Sequence, residues 1–499
     1  MPSLLYLALA ATAAACLGAP AYQPPSVRVA PVYASATPEV AGPSTDSGAT
    51  ARPVTVRASG STISGAIAPS AQYSSDVSAT PFWRELADPA LTRLIEEALR
   101  ASTDVHAAEA RLTSARASRR MSAYDLGPVI TAVGSATRQR ASIASAPPGL
   151  SSQLPQRDLY DVGFDASWEL DVFGRVSRTV NAYGTLAASA EHSLRDVQVS
   201  LAAEVARTYF DLRGAERQLE VARRNAENQR STVSLTEDRL AAGRGTAFDT
   251  ERAKSVLQLT LSAIPVIESR IAGDRNRIAT LLGRAPSALP SEWLAGGRLP
   301  SLPGVVRVGS PEQLVRRRPD VLGAERQLAA QELFVGAAKA EYLPRLTLVA
   351  NAGYTATAFD SLSRRGTSRI VAGPVLTWPM LDLGRVKARV DVAHAQADEA
   401  RAQYSTTVLR AMEETETALV TYDRAHARLA LLTEAVRASS RASELAQQRF
   451  ESGLTDFLQV LDAQRTVLDA ESQLAEAHTT AATALVAVYK AVGGTWPIR

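Results

Sequence analysis

Two very long segments without proline constrain the fold of this 499-residue chain more than any other feature. Residues 175–241 contain no proline, and residues 385–451 contain neither proline nor glycine. In both segments apolar or small side chains recur at spacings of three and four residues, which is the pattern of coiled-coil helices. A helix of about 67 residues is about 100 Å long, far longer than the helices of globular domains. We therefore predict two long coiled-coil helices.

Residues 160–172 follow a different pattern, a strict alternation of apolar residues with polar residues or glycine. This period of two predicts a long β-strand with one apolar and one polar face. A strand between a protein core and water would look like this, but its length and aromatic side chains fit a transmembrane barrel strand at least as well. Weaker examples occupy residues 127–138, 345–357 and 369–381. The candidates for an interfacial aromatic girdle are Tyr160, Trp168, Tyr354 and Trp378; simple core packing is the alternative.

The chain is an internal duplication. Residues around the strongest strand and at the end of the first long helix recur 210 positions later in the chain, which is the smaller offset. Residues before the first strand recur 216 positions later, which is the larger offset. Six residues are therefore missing between the two strands of the second half, where a loop tolerates such a change. Each half is predicted to run helix, strand, loop, strand, long helix, turn, helix. The matched residues are Trp168 with Trp378, Arg239 with Arg449 and Gly243 with Gly453 at the smaller offset, and Asp104 with Asp320 at the larger one.

Four amphipathic strands do not close into a barrel. An open sheet edge inside a membrane leaves backbone polar groups without partners, at a cost of several kcal/mol each. Bacterial barrels have at least eight strands. If the strands span a membrane, several chains must share one barrel, with eight strands from two chains or twelve from three; the periodicity does not choose between them.

The N-terminus resembles a bacterial secretion signal that ends at the only cysteine. Residues 4–15 are uncharged and largely apolar, and three alanines precede Cys16. A helix of this length spans about 18 Å, too short for a bilayer core of about 30 Å. We predict a signal peptide at residues 1–15 and a lipid attached to Cys16, as in lipoproteins. The alternative is a plain signal peptide followed by an incidental cysteine.

Composition and motifs exclude several other classes. A single cysteine leaves no internal disulfide and no cysteine-rich metal site. The net charge is +3 without long blocks of like charge, so nucleic acid is not an indicated partner. The five histidines show no metal-ligand spacing, and no P-loop or dinucleotide-binding motif is found. We predict no metal site, no catalytic residues and no enzymatic activity.

Five short stretches together resemble the TolC-like outer-membrane factors, and most closely their lipoprotein efflux branch (NodT/OprM-like). The resemblance covers roughly residues 16–497. The stretches are YQPP at residues 22–25, WELDVFGR at 168–175, LVRRRPDV at 314–321, the segment 450–465, and GGTW at 493–496.

This resemblance implies a mainly α fold with a membrane β-barrel, in which a homotrimer combines four strands and long coiled-coil helices from each internally duplicated chain. It implies a passive duct in the outer membrane that exports small molecules, docks on a periplasmic adaptor and is energised by an inner-membrane pump. No cofactor is expected beyond the covalent lipid. A type I protein-secretion duct of the same fold and a periplasmic coiled-coil lipoprotein without a pore are the alternatives.

The resemblance also assigns roles to the helix turns. The turns containing Gly243 and Gly453, with Arg239 and Arg449 before them, are expected at the periplasmic tip; glycine suits a helix end because it adopts the left-handed conformation. Leu458, Asp462 and Arg465 share one helix face by their spacing. The predicted pore gate consists of Asp249, Phe450, Leu458, Asp462 and Arg465. Ordinary solvated helix faces are the alternative interpretation of these charges.

The predicted boundaries follow from these patterns. A helix is expected over residues 91–121, at the start of the first half. The predicted segments are the signal peptide (1–15), an anchored tether (16–80), the first repeat (81–284), a linker (285–310), the second repeat (311–491) and a C-terminal tail (492–499).

Overall fold

The computed structural model describes residues 33, 71–74, 76, 80–140, 157–294, 299–452 and 454–494. These residues fall into two compact units, and each unit draws on both halves of the chain. Among the described residues, the first contains those within 109–193 and 322–407, and the second contains those within 33–108, 194–321 and 408–494.

Helices make up most of the described chain, as the sequence predicts. In chain order the elements are β1 (Gln72–Ser74), α1 (Phe82–Glu85), α2 (Pro89–Ala101), α3 (Thr103–Ala123), β2 (Val129–Gln139), β3 (Arg157–Leu170), α4 (Arg175–Ala241), α5 (Ala247–Leu281), β4 (Val305–Arg307), α6 (Pro311–Val315), α7 (Pro319–Ala340), β5 (Arg345–Ala356), β6 (Ser368–Thr377), α8 (Leu383–Glu451) and α9 (Phe457–Ala491).

The two long helices and the duplication are confirmed at the level of element boundaries. Helices α4 and α8 contain 67 and 69 residues. Helix α5 begins at Ala247 and ends at Leu281, and α9 begins at Phe457 and ends at Ala491, so both ends repeat the smaller offset. None of the described helices has a stretch long and apolar enough to cross a membrane.

The first unit contains one antiparallel sheet with the strand order β2-β3-β5-β6. Val129 lies opposite Ser167 in the first hairpin, and Arg345 lies opposite Thr377 in the second. Val129 and Arg345 are related by the larger offset, and Ser167 and Thr377 are related by the smaller one. The duplication therefore extends to the pairing register. All four predicted strands lie in this one sheet.

The core of the second unit combines small residues with a few aromatic ones. Tyr209 and Phe210 of α4, Tyr422 of α8 and Leu485 of α9 are fully buried in one cluster. A short parallel pair of β1 with β4 also belongs to this unit. The sequence did not predict this pair, because three-residue strands are too short to show a period of two.

The helix expected over residues 91–121 is wrong in one respect, since two helices occupy this region. Helix α2 ends at Ala101, and Ser102 has an extended backbone with φ −64° and ψ 134°. The Ser102 hydroxyl then accepts a hydrogen bond from the backbone N–H of Asp104. A break of one residue leaves the apolar spacing almost unchanged, so the pattern does not reveal it.

Candidate functional site

The largest exposed apolar side chains of the first unit's sheet lie on one face, and the exposed apolar residues of the other face are the valines Val129, Val133, Val371 and Val375. Side chains alternate between the two faces of each strand, and paired strands keep opposite residues on the same face. Even-numbered residues of all four strands therefore share the apolar face. Its exposed large side chains include Ile130, Phe164, Leu348, Ile370 and Leu376. An apolar sheet face of this kind is expected where strands contact lipid.

The predicted girdle residues lie near the two ends of this face. Tyr160 and Trp168 are eight residues apart on β3, about 27 Å along an extended strand, which is close to the ~25 Å apolar band of membrane barrels. The indole N–H of Trp168 donates to the carbonyl oxygen of Leu126 at 2.9 Å. Trp378 donates in the same way to Tyr342 at 3.0 Å.

These two tryptophan contacts are equivalent in the two halves. Leu126 and Tyr342 are related by the larger offset, and both lie just before the first strand of their half. Tyr354 projects from the same face of β5 and is half exposed. Their role as a membrane girdle stays a prediction, but the arrangement fits side chains with an apolar body and a polar group that needs a partner.

The opposite face of the sheet carries a connected polar network. The Arg369 guanidinium donates to Asp161 at 2.5 Å, to the Thr355 hydroxyl at 3.1 Å and to the Asn351 side chain. The Asn351 amide also donates to Asp165. Sequence reasoning identified the acidic face but missed Arg369, because its partners depend on strand register, which the alternation alone does not give.

The end of β3 is joined to the start of α4 by charged and capping contacts. Arg175 pairs with Glu169 through two hydrogen bonds of 2.9 and 2.6 Å. The Asp171 carboxylate accepts from the backbone N–H groups of Val176 and Ser177 and from the Ser177 hydroxyl. Burial alone raises the pKa of Asp171, but these hydrogen bonds outweigh it and hold the pKa below its ordinary value.

The two helix turns of the second unit have matching geometry. Gly243 has φ +68°, the left-handed conformation expected after a helix end. The N–H of Arg244 returns to the Arg239 carbonyl at 2.8 Å, and the N–H of Leu454 returns to the Arg449 carbonyl at the same distance. Gly453 lies outside the described residues.

Each turn ends in a capped helix. The Thr246 side chain accepts from the N–H of Asp249 at the start of α5, and the Asp456 side chain accepts from the N–H of Gln459 at the start of α9. Thr246 and Asp456 are equivalent residues of the two halves. These caps explain why both helices begin at matching positions.

The structure places the predicted gate residues in two different environments. Phe450 is buried against Phe457, Val460 and Leu461, and the Arg239 guanidinium lies 4.1 Å from the centre of its ring. This contact joins the ends of α4 and α8. Sequence reasoning placed Arg239 at the turn but missed this contact, which spacing along the chain does not indicate.

Of the remaining gate candidates, Asp249 is half-buried and the other three face outward in the single chain. Asp249 accepts a 2.6 Å hydrogen bond from the Thr246 hydroxyl. Leu458, Asp462 and Arg465 are exposed on α9. Their role in a gate therefore depends on other copies of the chain and stays a prediction.

Other predicted sites fall partly outside the description. Cys16, the signal peptide and most of the tether lie outside the described residues, whereas Tyr33 within the tether is buried. In the part of the chain that is described, no group of three or more His, Cys, Asp and Glu side chains is arranged to hold a metal ion.

Comparison with known proteins gives consistent matches over most of the chain. The family described as "Outer membrane efflux protein" matches residues 94–284 and 310–494. The solvent efflux pump outer membrane protein SrpC of Pseudomonas putida is 30% identical over 413 residues, which cover 82% of this chain and 86% of that protein. Outer membrane protein OprJ of Pseudomonas aeruginosa is 31% identical over 418 residues, covering 83% and 86%.

Solved structures agree with this result. The outer-membrane channel OprN superimposes with a TM-score of 0.81 at 36% identity, covering 89% of this chain and 98% of the channel. The outer membrane protein VceC of Vibrio cholerae superimposes with a TM-score of 0.76 at 26% identity, covering 84% and 99%.

Proposed function

The chain belongs to the outer membrane efflux protein family, and we propose that three copies form a passive duct through the outer membrane for small toxic molecules. The proposal rests on the family match, which covers both halves of the chain. Relatives named for solvent and antibiotic efflux support small molecules as cargo. A duct for secreted proteins is the alternative within this fold.

The observation that supports a shared barrel is the four-stranded sheet with an exposed apolar face. Within the described residues, the outer edges of β2 and β6 pair with no strand. In hydrocarbon such edges would leave N–H and C=O groups unsatisfied, so the sheet must close with other copies. Three copies supply twelve strands, the number that the resemblance implies.

The proposed partners are a periplasmic adaptor and an inner-membrane pump. The chain contains no P-loop motif that would let it use a nucleotide itself. Relatives such as SrpC are named as components of efflux pumps. We place the adaptor contact at the two helix turns of Gly243 and Gly453, beside which the side chains of Arg244 and Leu454 are exposed.

We also propose that Cys16 carries a covalent lipid and begins the mature protein. The small residues before it suit signal peptidase. A single acyl chain binds a membrane only weakly, so stable anchoring requires a second lipid signal as well. The mass of the mature protein tests this directly, since an unmodified Cys16 thiol would contradict it.

The proposed gate can be tested by single-channel recording in planar bilayers. Asp462 and Asp249 are to be replaced together, as Asp462→Ala with Asp249→Ala. Removing both carboxylates from each of three copies is expected to raise the conductance, because a closed ring held by charged contacts would loosen.

A matched control removes the same number of charges elsewhere on the helices. Asp238→Ala with Glu444→Ala alters two exposed carboxylates on α4 and α8 outside the proposed gate and is expected to leave conductance unchanged. Equal conductance of the gate variant and the parent would reject Asp462 and Asp249 as gate elements, while a channel that still conducts would leave the duct itself supported.

A further inference from the structure

One end of the four-stranded sheet carries an excess of positive charge. This hairpin end consists of residues 137–159 and 357–368, which include the turns of the two hairpins. It contains five arginines, two aspartates and neither lysine nor glutamate, so its net charge is +3. The five residues, called the hairpin arginines below, are Arg138, Arg140, Arg157, Arg364 and Arg365.

The opposite end of the sheet, where the strands adjoin helices, has the reverse charge. Three arginines and five carboxylates there give a net charge of −2, counted over residues 121–128, 169–175, 341–345 and 378–385. In the proposed duct α4 and α8 extend from this end toward the periplasmic adaptor. The hairpin end, with its positive charge, therefore lies at the outer surface of the membrane.

The first hairpin arginine lies on the apolar face, just beyond a girdle candidate. Tyr160 is opposite Ala136, and two residues further along the hairpin Asp158 is opposite Arg138. All four residues have even numbers and so share the apolar face. Two residues of extended strand advance about 7 Å. The charged pair thus follows the aromatic ring in the direction in which lipid headgroups follow the hydrocarbon band.

Asp158 holds the Arg138 guanidinium in a fixed orientation. Nε and Nη2 of Arg138 donate to the two carboxylate oxygens at 2.6 and 2.8 Å. Within the described residues, this leaves the Nη1 amino group without a hydrogen-bond partner. The Arg138 side chain is 68% exposed, so an anion can approach it from outside the sheet.

The turn of the second hairpin adds two more arginines to this end. The ring centre of Phe359 lies 5.8 Å from that of Tyr160, so the turn packs against the aromatic residue of the apolar face. Arg364 of this turn pairs with Asp360 at 3.3 Å, and Arg365 is exposed. Both hairpins therefore contribute positive charge beyond the apolar face.

Three of the hairpin arginines have no acidic partner. Arg140, Arg157 and Arg365 are exposed, and among the residues that the structure describes none of them forms an ion pair with a carboxylate. Residues 141–156 add no acidic side chain. The chain thus leaves positive charge at this end that an anion from outside can neutralise.

The fold does not require these charges. In the second half, the residues equivalent to Arg138 and Asp158 are Tyr354 and Ser368, which lie opposite each other in the same way. The equivalents of the other two arginines of the first hairpin are also uncharged. Because uncharged residues form the same hairpin, the charges have a function other than strand pairing.

We propose that the hairpin arginines bind the phosphate groups of anionic lipid in the outer leaflet of the membrane. This inference rests on the proposed position of the sheet and adds a lipid site to it. A guanidinium can donate two parallel hydrogen bonds to one phosphate, and basic residues beside a membrane attract anionic headgroups. Passing cargo is a less suitable ligand, because Arg138 lies on the apolar face, whereas Arg369 on the polar face is compensated by Asp161.

Native mass spectrometry of the detergent-purified protein, titrated with lipid A, tests this site. Lipid A is the phosphorylated lipid part of lipopolysaccharide. Arg138→Gln with Arg140→Gln is expected to weaken its binding about 25-fold, since each basic residue at a charged membrane surface contributes about fivefold. The variant should still assemble, because an exposed ion pair contributes little to stability. Lipid A without its phosphates should bind parent and variant equally weakly.

The matched control removes two exposed arginines from the second unit. Arg316→Gln with Arg437→Gln should bind lipid A like the parent. A trimeric Arg138 and Arg140 variant that binds like the parent would overturn the lipid site and leave the duct intact. Equally tight binding of dephosphorylated lipid A, or of inorganic phosphate alone, would also overturn it. A protein that is monomeric in detergent would instead contradict the proposed assembly.

Discussion

Asp196 on α4 is a carboxyl group in an unfavourable place. Burial is the main cause that raises its pKa, and the neighbouring carboxylates of Asp320 and Glu414 add to the effect. Arg318 and Lys490 act in the opposite direction but do not outweigh it. The charged form of Asp196 therefore costs folding free energy at neutral pH.

This predicts that Asp196→Asn stabilises the folded protein, by an amount that depends on pH. Because the folded pKa lies above the unfolded one, the folded protein binds the proton more tightly, and this contribution to stability is lost as pH rises through the folded pKa. Asparagine cannot ionise, so the variant should melt at a higher temperature than the parent at pH 7.5. The difference should shrink at pH values below the raised pKa. Thermal melts followed by circular dichroism at several pH values measure it.

The control for this experiment lies on the same helix. Asp238 is exposed, so Asp238→Asn is expected to leave the melting temperature unchanged at every pH. A stabilising effect of Asp196→Asn that is equal at low and neutral pH would show that the ionisation of Asp196 is not its cause.

The positions of residues in the fold were predictable only where a local pattern indicates them. Trp168 and Trp378 were identifiable because both lie on alternating segments, strong at Trp168 and weaker at Trp378, and recur at a fixed offset. The contacts of Arg369 and Arg239 were not predictable, because their partners Asp161 and Phe450 lie in the other half of the chain. Contacts at such separations depend on strand register and helix packing, which a single sequence does not specify.

At the scale of elements, Arg318 joins the first turn of α7, the middle of α8 and the last residue of α9. Its guanidinium forms a two-bond pair with Asp320 of α7 at 3.0 and 2.7 Å and a 2.8 Å bond with Glu414 of α8. It also donates to the last carbonyl of α9, at Ala491, at 3.0 Å. The side chain is only 9% exposed, so the charge is compensated almost entirely by these groups. Its motif, RRRPD, thus has a structural function in the second unit.

Arg318→Ala is expected to destabilise the protein strongly. The Ala491 carbonyl would be left without its partner, at a cost of about 1–3 kcal/mol, whereas the carboxylates of Asp320 and Glu414 are 26% and 57% exposed and would stay in contact with water. Arg318→Lys should fall between the parent and the alanine variant, because lysine keeps the charge but not the two-bond geometry. Thermal loss of helical circular dichroism in detergent measures the order of the three proteins.

The neighbouring Arg316 provides the matched control. It pairs with Glu312 on the surface, where the two side chains are 77% and 73% exposed. Exposed pairs contribute little, so Arg316→Ala should melt like the parent. Equal melting of the Arg318 and Arg316 alanine variants would contradict the role of Arg318 as a link between helices.

Long elements were easier to predict than short ones. Helices α4 and α8 and strand β3 extend over many periods, and their boundaries were predicted to within two or three residues. The interruption at Ser102 and the β1–β4 pair were missed because each involves at most three residues per segment. Capping contacts such as that of Thr246 fix the ends of helices but are too common in sequences to identify them alone.

At the scale of the whole molecule, the proposed assembly accounts for two features of the single chain. Among the strands that the structure describes, the outer edges of β2 and β6 are unpaired, and the gate candidates on α9 are exposed. Both features become explicable when identical copies surround a common axis. The number of chains was not predictable from periodicity, because eight and twelve strands close a barrel equally well by that criterion.

The central claim is that three copies form one channel, and native mass spectrometry of the full-length protein in detergent tests it most directly. We expect a complex of three identical chains, each beginning at Cys16 and carrying its lipid. When the detergent complex dissociates, single chains should be more abundant than dimers. A monomer, or a dimer as the largest species, would contradict the twelve-stranded barrel and with it the proposed duct.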